Sequence, residues 1–169
     1  MYVLGHVGIS LLLYAPIAAG LLSTTQPTLA VLTGLVMIVF SPLPDFDTYI
    51  DRVDHRGPTH TVWFALGVGL LVGVGSGLVV AGLSAAGFGS LSLPPLWTAV
   101  WFGSVTVLTL CGHLAGDLIT PMGIKPFRPV STYHQTLDLT PSKNPRANRL
   151  WFGAGVVVLT LLLLLVVIS

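Results

Sequence analysis

Long apolar runs separated by short polar segments make up most of this 169-residue chain. Five runs stand out: Val7 to Leu22, Thr28 to Phe40, Thr61 to Gly82, Leu96 to Ile119 and Leu150 to Ile168. The last three are near or above the roughly 20 residues a helix needs to cross the hydrocarbon of a bilayer. The first two are shorter and carry Pro16, Gly20 and Gly34, so they read as a tilted helical hairpin turning at Ser23 to Pro27. Pro42 and Pro44 then stop the second helix, since proline lacks the amide donor and restricts the residue before it. The expected fold is all-α, a polytopic membrane bundle of about five spans forming one domain over residues 1–169.

Five crossings put the N-terminus, the 41–60 loop and the 120–149 loop on one side. The 23–27 turn, the 83–95 loop and the C-terminus fall on the other. All seven Lys and Arg residues (Arg52, Arg56, Lys125, Arg128, Lys143, Arg146, Arg149) then share the first side. Basic residues collect in cytoplasmic loops, so that side is expected to be cytoplasmic, in a cell inner membrane, with the C-terminus outside. A four-span count would divide the basic loops between the two faces. Lys143, Arg146 and Arg149 read as anchors to anionic headgroups, which makes membrane lipids an expected partner.

Composition agrees: 53% of residues are hydrophobic and 8% charged, far from a soluble domain. A net charge of +1 and the lack of a basic tract give no reason to expect nucleic acid. The lone Cys111 excludes an intrachain disulfide and reads as a small apolar residue. The first ten residues lack the basic start of a signal peptide and are expected to be retained. Gly67, Gly69, Gly73, Gly75 and Gly77 crowd the third run. Without a preceding strand they suit close helix packing, not a phosphate-cradling loop.

Against this background the His and Asp residues stand out, because ionisable groups are costly near hydrocarbon. His113 and Asp117 are spaced i, i+4 and share one helix face. Together they can hold a divalent ion, or they can simply hydrogen-bond and pin two helices. The 41–60 loop adds Asp45 and Asp47 in a proline-held turn, then His55, Arg56 and His60 just before the third run. His6 joins from the N-terminal side. His134 and Asp138 repeat the i, i+4 spacing in a segment rich in Pro, Ser and Thr, as second-tier ligands. Asp51, Asp54 and Arg52 read as a solvated loop. Mixed imidazole and carboxylate ligands suit zinc, manganese or iron. Bridging carboxylates can hold two ions about 3.5–4 Å apart. Arg56 can clamp phosphate oxygens or serve as a plain cytoplasmic charge.

Four blocks in order resemble the YdjM-like family of inner-membrane proteins: Gly5-His6, Leu43 to Asp47, His55 to His60, and Gly112 to Gly123. That family is identified with metal-dependent hydrolases, distantly similar to zinc-dependent phospholipases C and single-strand nucleases. The resemblance implies His6, Asp45, His60, His113 and Asp117 as metal ligands, with Asp47 and His55 in or beside the coordination sphere. It implies a zinc-dependent hydrolase acting on a phosphoester, one carried on a lipid among them. Asp47 is expected to move a proton and Arg56 to neutralise phosphate oxygens. The chain departs from the soluble relatives, which use a processed N-terminal amine and a late histidine–glutamate pair, because it begins at Met1 and contains no Glu. The competing expectations are a metal-ion transporter and a non-catalytic structural or regulatory membrane protein.

Overall fold

A computed structural model describes residues 1–51, 54–88 and 94–168. Arg52 and the centre of the expected 83–95 loop lie outside the described residues. The described residues form five α-helices: α1 (Val3–Ser23), α2 (Pro27–Phe40), α3 (Val62–Ala85), α4 (Pro95–Leu118) and α5 (Pro145–Ile168). Among the described residues there is no strand, only an isolated antiparallel pairing of Ile124 with Gln135. The protein is an all-helical bundle with five helices long and apolar enough to cross a membrane, counting Pro27–Tyr49 as one.

The helix starts follow from local chemistry. α2, α4 and α5 begin on Pro27, Pro95 and Pro145, where the missing N–H is not needed and φ is already helical. Thr61 caps α3, its hydroxyl accepting from the Phe64 N–H at 3.2 Å. Several boundaries differ from the sequence reading. α5 begins at Pro145 and not at Leu150, so Arg146 and Arg149 lie inside its first turns, and α3 runs on to Ala85. α1 starts at Val3, so His6 lies inside the helix and not ahead of it. The α-helical part of α2 does end before Pro42, but the chain continues as a 3-10 helix over Leu43–Tyr49. That turn aims Asp45 and Asp47 from a wound backbone rather than from an open loop.

α4 is central. It packs against α3 along most of its length and also against α1 and α2, while α5 lies along α1. Glycine permits both close seams. A Cβ on Gly73 would sit 2.6 Å from the Ala99 carbonyl oxygen, and one on Gly155 would sit 2.5 Å from the Gly8 carbonyl oxygen. The α3 ladder divides cleanly: Gly69, Gly73 and Gly77 are buried against α4, whereas nothing lies within 4 Å of a Cβ built on Gly67, Gly75 or Gly82. Packing therefore accounts for one face of the ladder only. Gly73→Val is expected to lower the unfolding free energy in detergent by about 1–3 kcal/mol through overpacking. Gly75→Val should change it by less than about 0.5 kcal/mol. Thermal unfolding of the two purified variants checks the pair.

Candidate metal centre

The polar ends of α1 and α4, the 3-10 helix and the turn before α3 meet at one end of the bundle. His6 comes from the first turns of α1, and His113 and Asp117 come from the last turns of α4. Asp45 comes from the 3-10 helix, and His60 from the short turn Pro58–His60. The side chains of His6, His60, His113 and Asp117 are fully buried, and that of Asp45 is 18% exposed. His6, Asp45, His113 and Asp117 bring one ligand atom each within 4.8 Å of one another, so this group could hold a metal ion.

Hydrogen bonds fix how the imidazoles present themselves. His113 Nδ1 lies 2.8 Å from the Ser41 carbonyl oxygen, which can only accept, so Nδ1 carries the proton. Its Nε2 is left as a lone pair pointing into the cluster. His60 Nδ1 lies 3.0 Å from Thr59 Oγ1 and 3.3 Å from Asp47 Oδ2. The Thr59 hydroxyl already donates to Asp47 Oδ2 at 2.8 Å, so His60 Nδ1 is the donor in its turn. His60 Nε2 also faces inward unprotonated. The two Nε2 atoms stand 3.2 Å apart, lone pair to lone pair.

Carboxylate oxygens complete an all-acceptor set. Asp117 Oδ2 is 3.2 Å from His60 Nε2 and 3.6 Å from His113 Nε2, and it has no hydrogen-bond partner. Asp45 Oδ1 is 3.4 Å from His60 Nε2 and 3.6 Å from His113 Nε2. With both rings neutral these four atoms are all acceptors, and a bound cation would relieve their repulsion. Ligand atoms about 2.0–2.2 Å from a tetrahedral ion stand roughly 3.3–3.6 Å apart, which fits this donor set. The other oxygens of the same carboxylates face His6, whose Nε2 is 3.7 Å from Asp45 Oδ2 and 3.6 Å from Asp117 Oδ1. Both His6 nitrogens are buried without a hydrogen-bond partner. The His6 ring stacks on His113 at 3.7 Å.

A second layer orients these groups. Asp47 is buried; its Oδ1 accepts from His55 Nδ1 at 2.9 Å, and its Oδ2 accepts from the Arg56 backbone N–H at 3.0 Å. Arg56 takes a left-handed backbone, φ 60°, and a Cβ on the following Gly57 would sit 2.6 Å from the Asp54 carbonyl oxygen. Its guanidinium points inward. Nη2 donates to Asp117 Oδ1 at 2.6 Å, and Nη1 donates to Thr120 Oγ1 at 3.1 Å and the Gly123 carbonyl at 2.9 Å. The Met1 α-amino group also donates to Asp117 Oδ1, at 2.6 Å. Burial works against a charged His60, but hydrogen bonding to Asp117 and Asp45 outweighs it and raises the imidazole pKa above its ordinary value.

The whole chain, residues 1–169, matches the description YdjM inner membrane protein. The chain belongs to the YdjM inner membrane protein family. Membership in that family, with five apolar helices, makes it a multi-pass membrane protein. Searches of curated proteins and of solved structures found no match.

Of the residues expected at the site, the structure of this YdjM-family member brings His6, Asp45, His60, His113 and Asp117 together. Asp47, His55 and Arg56 lie one step out; His55 is 42% exposed and meets His60 edge to face. His134 and Asp138 are not brought in. His134 is exposed and hydrogen-bonds the Met122 carbonyl, and Asp138 is exposed in a left-handed turn. Sequence reasoning missed Ser41, Thr120 and Asn148. Asn148 is buried; its Oδ1 accepts from the Tyr2 N–H at 2.9 Å and its Nδ2 donates to the Ser142 and Asn144 carbonyls. An amide in the first turn of an apolar helix was the signal available for it.

Proposed function

We propose that this protein is a membrane-embedded metal-dependent hydrolase that cleaves a phosphoester, with zinc as its metal and its site at the cytoplasmic face. The convergence of His60 Nε2, His113 Nε2, Asp45 Oδ1 and Asp117 Oδ2, acceptors without a donor, carries the reading. His6 Nε2 and Asp45 Oδ2 offer ligand atoms for a second ion beside the first, while Asp117 Oδ1 is taken by Arg56 and the Met1 amine. The resemblance of the four sequence blocks to a family held to be distantly similar to zinc-dependent phosphoesterases supports the choice of reaction, and the gathering of Lys and Arg at one end of the bundle supports the orientation.

When bound, such an ion supplies Lewis acidity and makes water acidic enough to act near neutral pH. The chain's own residues do the rest. His113 is held by Ser41 and His60 by Asp47 and Thr59, so both rings are presented in the ligating tautomer before any ion arrives. Arg56 neutralises part of the charge on Asp117 and keeps that carboxylate turned inward. Asp45, the member with exposed surface, faces the side from which water and substrate arrive. In the balanced reaction the water oxygen bonds to phosphorus, the ester P–O bond breaks, and the proton ends on the leaving oxygen. A transporter would hold its ion near the bilayer midplane on broken helices; here the ligands crowd the ends of α1 and α4.

The detergent-purified full chain should carry stoichiometric divalent metal and hydrolyse bis(p-nitrophenyl) phosphate. Chelation should abolish the turnover and added zinc restore it. Protein without stoichiometric metal, or turnover indifferent to the chelator, would sink the reading.

A further inference from the structure

The converging ligands are closed off on most sides. Asp45 is the member with exposed side-chain surface, and it lines a groove of about 400 Å³ between the start of α1 and the 3-10 helix. The groove's walls are apolar, formed by Tyr2, Val3, Pro42, Phe46 and Tyr49, with His55 at the polar end. Tyr2, Val3, Phe46 and Tyr49 are 45%, 52%, 55% and 83% exposed, so the walls of this groove are open to what surrounds them. The Phe46 and Tyr49 rings stand 5.9 Å apart, tilted, and shape one wall.

The groove's place in the fold decides what can fill it. α1 and the Pro27–Tyr49 span both end here, so the groove opens where hydrocarbon gives way to headgroups. Tyrosine favours that depth, because its ring is apolar and its hydroxyl reaches water. A small hydrophilic ester would gain nothing from these walls. A hydrocarbon chain gains about 0.8 kcal/mol for each methylene it buries. A volume of this size accommodates a polar head and the first part of a chain, with the remainder left in the bilayer.

We propose that the substrate is an amphiphile, a phosphoester carried on a hydrocarbon chain, which enters sideways from the bilayer along this groove. Its chain lies against Tyr2, Val3, Phe46 and Tyr49, and its phosphoester reaches the ligands past Asp45. The phosphoester part rests on the hydrolase reading above, and the hydrocarbon part rests on the groove.

The test uses the full chain in phosphatidylcholine nanodiscs with zinc added. An alkyl phosphate bearing a diazirine on its chain is photolysed, and the adducts are mapped by mass spectrometry. Adducts should concentrate on the segments containing Tyr2–Val3 and Phe46–Tyr49. Dodecyl phosphate should suppress them at least about tenfold more effectively than butyl phosphate, which is the worth of roughly two buried methylenes. The Phe46→Ala/Tyr49→Ala double variant should lose the labelling while keeping wild-type metal content. Adducts spread evenly over the outer faces of α3 and α5, or competition independent of chain length, would overturn the inference. Turnover of bis(p-nitrophenyl) phosphate by the same preparation separates the two proposals. Groove labelling without turnover overturns the hydrolase alone; turnover without groove labelling overturns the amphiphile alone.

Discussion

Asp117→Ala is expected to lose both the metal and a large part of the stability, whereas Asp117→Asn should lose the metal and keep the fold. Asp117 Oδ1 accepts from Arg56 and from the Met1 amine, all within the closed end of the bundle. Removing the carboxylate leaves that positive charge buried without its anionic partner, Arg56 keeping only Thr120 Oγ1 and the Gly123 carbonyl, a change that costs about 3–5 kcal/mol. Asparagine keeps an oxygen for Arg56 and puts an amide N–H₂ where Oδ2 stood, facing the lone pairs of His60 and His113. It thus supplies the donor the site otherwise lacks. The folded protein tolerates the change, but the ion no longer has its place. Metal affinity should fall by more than the roughly 10–100-fold typical of groups that only support a ligand. Metal analysis and thermal unfolding of both variants separate the outcomes. An Asn variant that retains its metal would remove Asp117 from the ligand set.

The long runs that became α3, α4 and α5 could be read directly, since no charged residue interrupts them except at the site. The polar first turns of α5, with Arg146 and Arg149, read instead as loop. α1 was harder to bound because His6 looks like the end of an apolar run, and only tertiary burial shows it to be inside the helix. Pro42 and Pro44 signalled the end of α2 correctly but not the 3-10 helix that follows. Proline tolerates the first turn of such a helix as well as it does a stop. The residues that the structure gathers at the candidate site were legible because Asp and His are conspicuous in so apolar a chain. Their partners were not. The carbonyl of Ser41 has no sequence signature, and the direction of the Arg56 guanidinium depends on a left-handed turn and a meeting with α4. The i, i+4 pattern that picked out His113 and Asp117 also picked out His134 and Asp138. Spacing matters only where a helix is present, and residues 131–140 are not helical.

Asp47→Ala should weaken zinc binding about 10–100-fold, and Asp47→Asn should recover most of the loss. Asp47 lies beside the cluster with both oxygens engaged, by His55 on one and by the Arg56 N–H, Thr59 and His60 on the other. Alanine deletes the acceptor that holds His60 in its ligating tautomer and frees the turn that delivers both His60 and Arg56. Asparagine can keep its oxygen toward Arg56, Thr59 and His60 and turn its N–H₂ toward His55. That ring is half in solvent and can present its Nδ1 lone pair without cost to the cluster. Competition with a chromophoric zinc chelator measures the three affinities. Rescue by Asn makes Asp47 a positioning residue acting through His60. A ligand oxygen on the metal needs the negative charge and would not be rescued, so equal losses in Ala and Asn would place Asp47 on the ion itself.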